Sequence, residues 1–304
     1  PNEIQAILIP RLEQWLRNEK ITHILWSSSQ NEASIAQGIN GDESDNSRSS
    51  MGAVYVFTYN GSDWIHQAYI KPSNTSCSYL MQFGKSIDIS NDGNTIVVGA
   101  DGEGSGTTGV NGNQCDNGGI GGTNNSANNS SGAAYVFTRS GTTWSQQAFI
   151  KPSNTGSGDR FGWSTSISHD GNTLAVGAYG EDSLASGVGG DQADNSGSDI
   201  GAVYVYTRSG TTWSQEAYIK GSNNDGVYNA DNFGWSVSLN SDGNNLIVGA
   251  PEEDSNAQGI GGDESNNDTL RAGAAYFFKR NGTTWSQQAY IKASNTDDAG
   301  NVMF

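Results

Sequence analysis

Four copies of a two-part phrase divide this chain, and self-similarity at a fixed period decides an architecture before local propensity does. FGKSIDISNDGNTIVVGA begins at Phe83, FGWSTSISHDGNTLAVGA at Phe161 and FGWSVSLNSDGNNLIVGA at Phe233, in steps of 78 and 72 residues, and Phe304 stands 71 residues further on. The second phrase reads GAVYVFTYNGSDWIHQAYIK from Gly52, GAAYVFTRSGTTWSQQAFIK from Gly132, GAVYVYTRSGTTWSQEAYIK from Gly201 and GAAYFFKRNGTTWSQQAYIK from Gly273. In the copy opening at Phe161, Trp163 to Ser168 alternate apolar and hydroxyl side chains, Asp170-Gly171-Asn172 make a hairpin turn, and Leu174 to Gly177 return. Ala202 to Thr207 then run out, RSGTT turns, and Trp213 to Ile219 come back. Each copy is therefore expected to be a four-stranded antiparallel meander.

One meander cannot bury both of its faces. Stacking successive meanders face to face around an axis does so, which predicts an all-β protein, a β-propeller of four-stranded antiparallel blades. The recurring Phe, Trp and Tyr then fill the space between blades, each contributing roughly 1.5 to 3 kcal/mol by burial. The boundaries fall at residues 31–82 for a partial first blade, 83–160, 161–232 and 233–303 for three more, with Phe304 opening a further copy. Residues 1–30 lie off the pattern. Leu12, Trp15 and Leu16 suit a short helix capping an open edge. A displaced reading frame is the other reading, since codons for Trp26 to Ser29 read one base later can give Gly-Ala-Pro.

The FG heading each first strand and the GA closing each second one, extended to GAP at Gly249 to Pro251, resemble the FG-GAP repeats of integrin α-subunit propellers. The resemblance covers residues 31–304 and is nearest to the bacterial branch of that family. It implies a ring that usually closes with seven blades, so about four repeats make an incomplete ring, with further blades or domains outside these residues. It also implies an exported bacterial protein, extracellular or on the cell surface, with a leader either absent or upstream of these residues. The function expected from it is a non-enzymatic binding or adhesion module. The alternative is a structural accessory propeller of a larger secreted enzyme or surface protein.

Charge narrows the partners. With 15 basic and 32 acidic residues the net charge is −17, which repels nucleic acid. No apolar run nears the ~20 residues of a membrane helix, so membrane insertion is not expected. Catalytic signatures are poor. Gly104 to Gly109 fit GxGxxG without a helix to follow, and His23, His66 and His169 occupy unrelated repeat positions.

Integrin propellers bind calcium in a D-x-[DN]-x-D-G-x-x-D loop between FG and GA. Here Asp92, Asp170 and Asp242 stand alone in that place, so the family's ligands do not carry over and these residues read as turn formers. The longer loop after GA is different. EASIAQGINGDESDN from Glu32, EGSGTTGVNGNQCDN from Glu103, EDSLASGVGGDQADN from Glu181 and EDSNAQGIGGDESNN from Glu253 share E-x-S-x-x-x-G-[IV]-x-G-[DN]-[EQ]-x-[DN]-N. Unconstrained loops would have drifted apart.

Two accounts of that constraint stand open. In one, the glycines take positive φ, Ile or Val anchors the loop, and Asp and Asn cap its turns. In the other, clustered oxygens hold a Ca²⁺. The candidate ligands are Glu32, Asp42, Glu43 and Asp45 in the first loop, Glu181, Asp191 and Asp194 in the third, and Glu253, Asp263 and Glu264 in the fourth. The second loop has only Glu103 and Asp116 charged within the pattern. All four loops leave the meander on the same side as the links between blades. Integrins bind ligand there, so a protein or glycan ligand is expected on this face. Cys77 and Cys115 fall on it too, as a candidate disulfide.

Overall fold

The computed structural model describes residues 24–29, 31–77, 80–116, 130–223 and 230–295. They form an all-β protein of fifteen strands and one 3₁₀ turn at Thr75–Cys77. The first sheet holds β1 (Ile24–Ser29), β2 (Ala53–Tyr59) and β3 (Trp64–Ile70). The second holds β4 (Ile87–Ile89), β5 (Thr95–Ala100), β6 (Ala133–Ser140) and β7 (Thr143–Ile150). The third holds β8 (Ser164–Ile167), β9 (Thr173–Ala178), β10 (Ala202–Ser209) and β11 (Thr212–Ile219). The fourth holds β12 (Ser236–Leu239), β13 (Asn245–Ala250), β14 (Ala274–Asn281) and β15 (Thr284–Ile291). Strands pair antiparallel in chain order, so these are the blades of a β-propeller.

Two boundaries differ from the sequence expectation. The RSGTT turn keeps only Gly210 and Thr211, because the ladder runs on to the pair Ser209↔Thr212 and a two-residue turn matches strand twist. A strand, β1, also occupies the end of the off-pattern segment. It pairs with β2 so that Ser28 and Ser29 face Val54 and Ala53, the register held by Gly99 and Ala100 against Ala134 and Ala133. The helix expected around Leu12, Trp15 and Leu16, and the further copy opening at Phe304, lie outside the described residues.

Three cores fill the junctions between successive blades. In the junction of the second and third, Val97, Val136 and Ile150 on one side meet Phe161, Tyr204 and Trp213 on the other. Phe161 packs edge-on to Tyr204 and Tyr206, with ring centroids 5.4 and 6.2 Å apart. These aromatics are core, as their recurrence predicted.

The Phe and both glycines of the FG…GA phrase have tasks at the junction. Phe161 pairs back in parallel onto Gly132 of the preceding blade, its amide donating to Ser131 O at 3.1 Å. The amide of Gly162 donates to Gly177 O in its own blade at 3.0 Å, while Gly162 O accepts from Ser86 Oγ of the preceding blade at 2.9 Å. Ser164 Oγ donates likewise to Gly234 O of the next blade at 2.8 Å. A Cβ on Gly177 would lie 2.0 Å from that same Gly234 O, so only glycine lets the blades come this close.

Candidate functional site: the loop face

First strands begin, and second strands end, on the face where the long loops and the inter-blade links lie. The glutamate that opens the shared pattern in each loop is paired with the lysine that ends its own blade. Glu181 meets Lys220 at 2.6 Å, Glu103 meets Lys151 at 2.9 Å, Glu253 meets Lys292 at 2.5 Å and Glu32 meets Lys71 at 2.5 Å. Both partners are buried in the second, third and fourth blades. Burial pulls Lys151 and Lys220 below the ordinary lysine value, and the nearby glutamates oppose it.

An asparagine from the preceding link completes the site in the second, third and fourth blades. Asn154 Nδ2 donates to Glu181 Oε1 at 3.0 Å while its Oδ1 accepts from Tyr204 OH at 2.7 Å. Asn74 does the same for Glu103 and Tyr135, and Asn223 for Glu253 and Tyr276. The link serine is the second tie. Ser73 donates to Gln114 of the next loop at 2.5 Å, Ser153 donates to Gln192 and Ser222 to Glu264. Thus K-x-S-N, visible at the end of every copy, carries the Lys for its own blade and the Ser and Asn for the next.

The other loop carboxylates close turns. Asp42 Oδ1 accepts from the amide and hydroxyl of Ser44, which hold its carboxyl below the usual range. Asp263 is held the same way by Ser265, and Asp191 accepts from the Ala193 amide. Asp45 and Asp194 reach across their loops to the amides of Ile35 and Leu184 at 2.9 and 2.8 Å. Glu264 accepts from Ser222 and Gln287, and Glu43 is exposed. The buried loop serine draws the loop shut, Ser183 Oγ donating to Asp191 O at 2.7 Å.

The [IV] position anchors through its backbone in every loop, and in the first two loops the half-buried side chains of Ile39 and Val110 also pack against the core. Val188 and Ile260 are exposed yet bridge Ile219 and Ile291, and the glycines before them sit at φ +72° and +71°. Asp92, Asp170 and Asp242 cap their hairpins by accepting from the amides of Asn94, Asn172 and Asn244.

Most of the candidate calcium oxygens accept from lysine, asparagine, serine or local amides, and among the described residues no three His, Cys, Asp or Glu side chains converge as metal ligands. Neither cysteine is free. Cys115 is disulfide-bonded, and Cys77 is the chain's only other cysteine.

Near the axis the same face carries an aromatic row. The inner strands β4, β8 and β12 pack on one another, so the residues after FG, namely Lys85, Trp163 and Trp235, become neighbours. The Trp163 and Trp235 rings are 4.7 Å apart, Tyr179 lies 4.7 and 4.9 Å from them, and Lys85 Nζ is 3.4 Å from the Trp163 centroid. Trp235 is 41% exposed. Beside the row Arg160 pairs with the buried Asp101 at 3.3 Å.

Asp159, next to Arg160, is buried, and burial pushes its carboxyl up to about 7, with Glu181 and Asp182 adding to the rise. Between its unfolded value and about 7 the folded state keeps a proton that the unfolded chain has lost, so stability falls as pH rises through that window. Asp159→Asn should therefore leave the protein more stable than the parent at pH 8 by of order 2 kcal/mol, with little difference at pH 4. Urea unfolding at the two pH values checks this, and equal losses in both proteins would refute it.

A family model described as "FG-GAP repeat" matches residues 144–206 and 213–278. Each match runs from the fourth strand of one blade to the third strand of the next, across the link, the inner hairpin and the long loop. No curated protein matches. Among solved structures, a chain from Bacteroides uniformis ATCC 8492 named "putative 6-phosphogluconolactonase" is similar at 8% identity and a TM-score of 0.30, over 79% of this chain. The present chain spans 63% of that chain's length. Two adjacent matches to one repeat model, lying on blades whose FG and GA residues make the junctions described above, identify the chain as an FG-GAP repeat protein.

Proposed function

We propose that this is a non-enzymatic binding module of an extracellular or cell-surface protein, taking a glycan on the axial part of its loop face. The observation that carries the reading is the row of Trp163, Tyr179 and Trp235, with Trp235 left 41% exposed. A pyranose offers a face of C–H groups that stacks on the electron-rich face of an indole, and the charged and amide side chains around the row can accept and donate to its hydroxyls. The acidic loops play the supporting part, holding the blades that carry the row. A disulfide on the same face suits an oxidising compartment. Among the described residues no helix is long and apolar enough to cross a membrane.

Tryptophan fluorescence titration with soluble β-glucans and N-acetylglucosamine oligomers tests the reading. A saturable change is expected with at least one of them, weakened at least about tenfold in Trp235→Ala and unaltered in Glu264→Gln. Failure of every sugar to bind, or binding indifferent to Trp235→Ala, would overturn it.

A further inference from the structure

The outer hairpin of every blade has an exposed tip, at Asn60, Ser140, Ser209 and Asn281, so the exposure belongs to the repeat. In the second and third blades the tip residue is serine, whereas in the first and fourth it is an asparagine followed by glycine. In an Asn-Gly pair the main chain can attack the side-chain amide, because glycine has no side chain to shield the attacking nitrogen. The described residues hold such pairs at Asn40, Asn60, Asn111 and Asn281, and a further one at Asn117 lies outside them.

The fold clamps the first three. Asn40 Oδ1 accepts from the Tyr69 amide and Asn111 Oδ1 from the Phe149 amide, both at 2.9 Å, which fixes each side chain against a strand. Asn60 Oδ1 accepts from the amide and hydroxyl of Ser62 and from the Asp63 amide, at 2.8 to 3.0 Å. Attack requires the glycine nitrogen to approach Cγ from above the plane of the side-chain amide, so these bonds must break before the side chain can turn. The Asn281 side chain makes no hydrogen bond among the described residues. It ends β14 beside a two-residue turn in which Gly282 sits at φ +63°.

We infer that Asn281 is a modification site, the Asn-Gly pair that the fold leaves open to spontaneous deamidation. The Gly282 nitrogen bonds to Asn281 Cγ and gives up its proton, the Cγ–Nδ2 bond breaks, and ammonia leaves behind a cyclic imide. Water then opens the imide at Cγ to give isomer-free aspartate, or at the main-chain carbonyl carbon to give isoaspartate, which carries one more carbon in the backbone. Either product places a negative charge beside Arg280. The isoaspartate also displaces the pairs Asn281↔Thr284 and Arg280↔Trp285. Arg280 and Trp285 both donate to Glu216 of the third blade, at 3.1 and 3.0 Å, so the change at the turn loosens the rim of that junction.

Ageing the folded protein in mildly alkaline buffer, followed by tryptic digestion and tandem mass spectrometry, tests it. Cleavage after Arg280 and Lys292 isolates Asn281 in its own peptide. Conversion at Asn281 is expected to run at least about tenfold faster than at Asn40, Asn60 or Asn111 in the folded protein, and at similar rates at all of them in urea. The aged parent should unfold at lower urea than the fresh one. Asn281→Ser, which takes the residue of the second and third blades, should unfold alike before and after ageing. Conversion at Asn281 no faster than at the clamped pairs overturns the inference. So does the same ranking in urea, which would make local sequence its cause. An aged parent as stable as the fresh one, once Asn281 has converted, would overturn the link to the junction rim.

Discussion

Glu181→Gln is expected to cost about 3 to 5 kcal/mol, the range for removing one partner of a buried ion pair. Lys220 Nζ lies 2.6 Å from the carboxylate, and both side chains are 1% exposed, so water cannot replace the lost charge. Glutamine keeps the shape but offers one acceptor oxygen where four donors converge, from Lys220, Asn154, Tyr218 and the Ser183 amide. The loss reaches beyond the pair, since Asn154 ties it to Tyr204 and so couples one blade's link to the next blade's loop. Removing the charge from both sides, as Glu181→Gln with Lys220→Met, should recover a large part of the loss. Urea unfolding of the parent, both single variants and the double variant gives the coupling directly. A cost under about 1 kcal/mol for Glu181→Gln would mean the pair is solvated, as surface pairs are, and would remove the structural reason for the loop's repetition.

Gly177→Ala should be nearly as damaging, and Gly249→Ala should not. The two residues hold the same place in the repeat phrase. A methyl on Gly177 meets Gly234 O at 2.0 Å and its carbonyl carbon at 3.0 Å, which are backbone atoms of the next blade pinned by the Gly249 carbonyl and Ser164. The junction must open to admit it, at a cost of about 3 kcal/mol on the scale of core overpacking. Among the described residues a methyl on Gly249 meets only the Ser236 side chain, which can turn away. Thermal melts of the two variants decide the matter. Equal midpoints would show that the motif glycine serves its own strand rather than the contact between blades.

Much of the fold was legible because the repeat places its own turns. Asp170-Gly171-Asn172 closes the inner hairpin through the Asn172 amide on Asp170, a contact that spans two residues and so is written locally. The long loop was legible as constrained but not in how it is constrained. Its glutamate finds a lysine 39 residues away in the third blade and an asparagine 27 residues back, so a reading of the loop alone sees acids and no base. The recurrence of lysine at the end of every copy was the available signal. The aromatic row was harder still. Lys85, Trp163 and Trp235 are separated by whole repeats, and they become neighbours only once the first strands are known to pack side by side. The anchoring by Ile or Val holds as a side-chain argument at Ile39 and Val110, which pack against the core, but not at Val188 and Ile260, which bridge through their backbones and leave their side chains exposed.

The most direct test is a thermal melt of the purified protein in millimolar Ca²⁺ and again with excess chelator. If buried Glu–Lys pairs and serine-capped aspartates hold the acidic loops, the two midpoints coincide, because no cation binds the folded state in preference to the unfolded one. A midpoint several degrees higher in Ca²⁺, lost in Asp191→Asn or Asp194→Asn, would show that the loop oxygens hold a metal and would contradict the account.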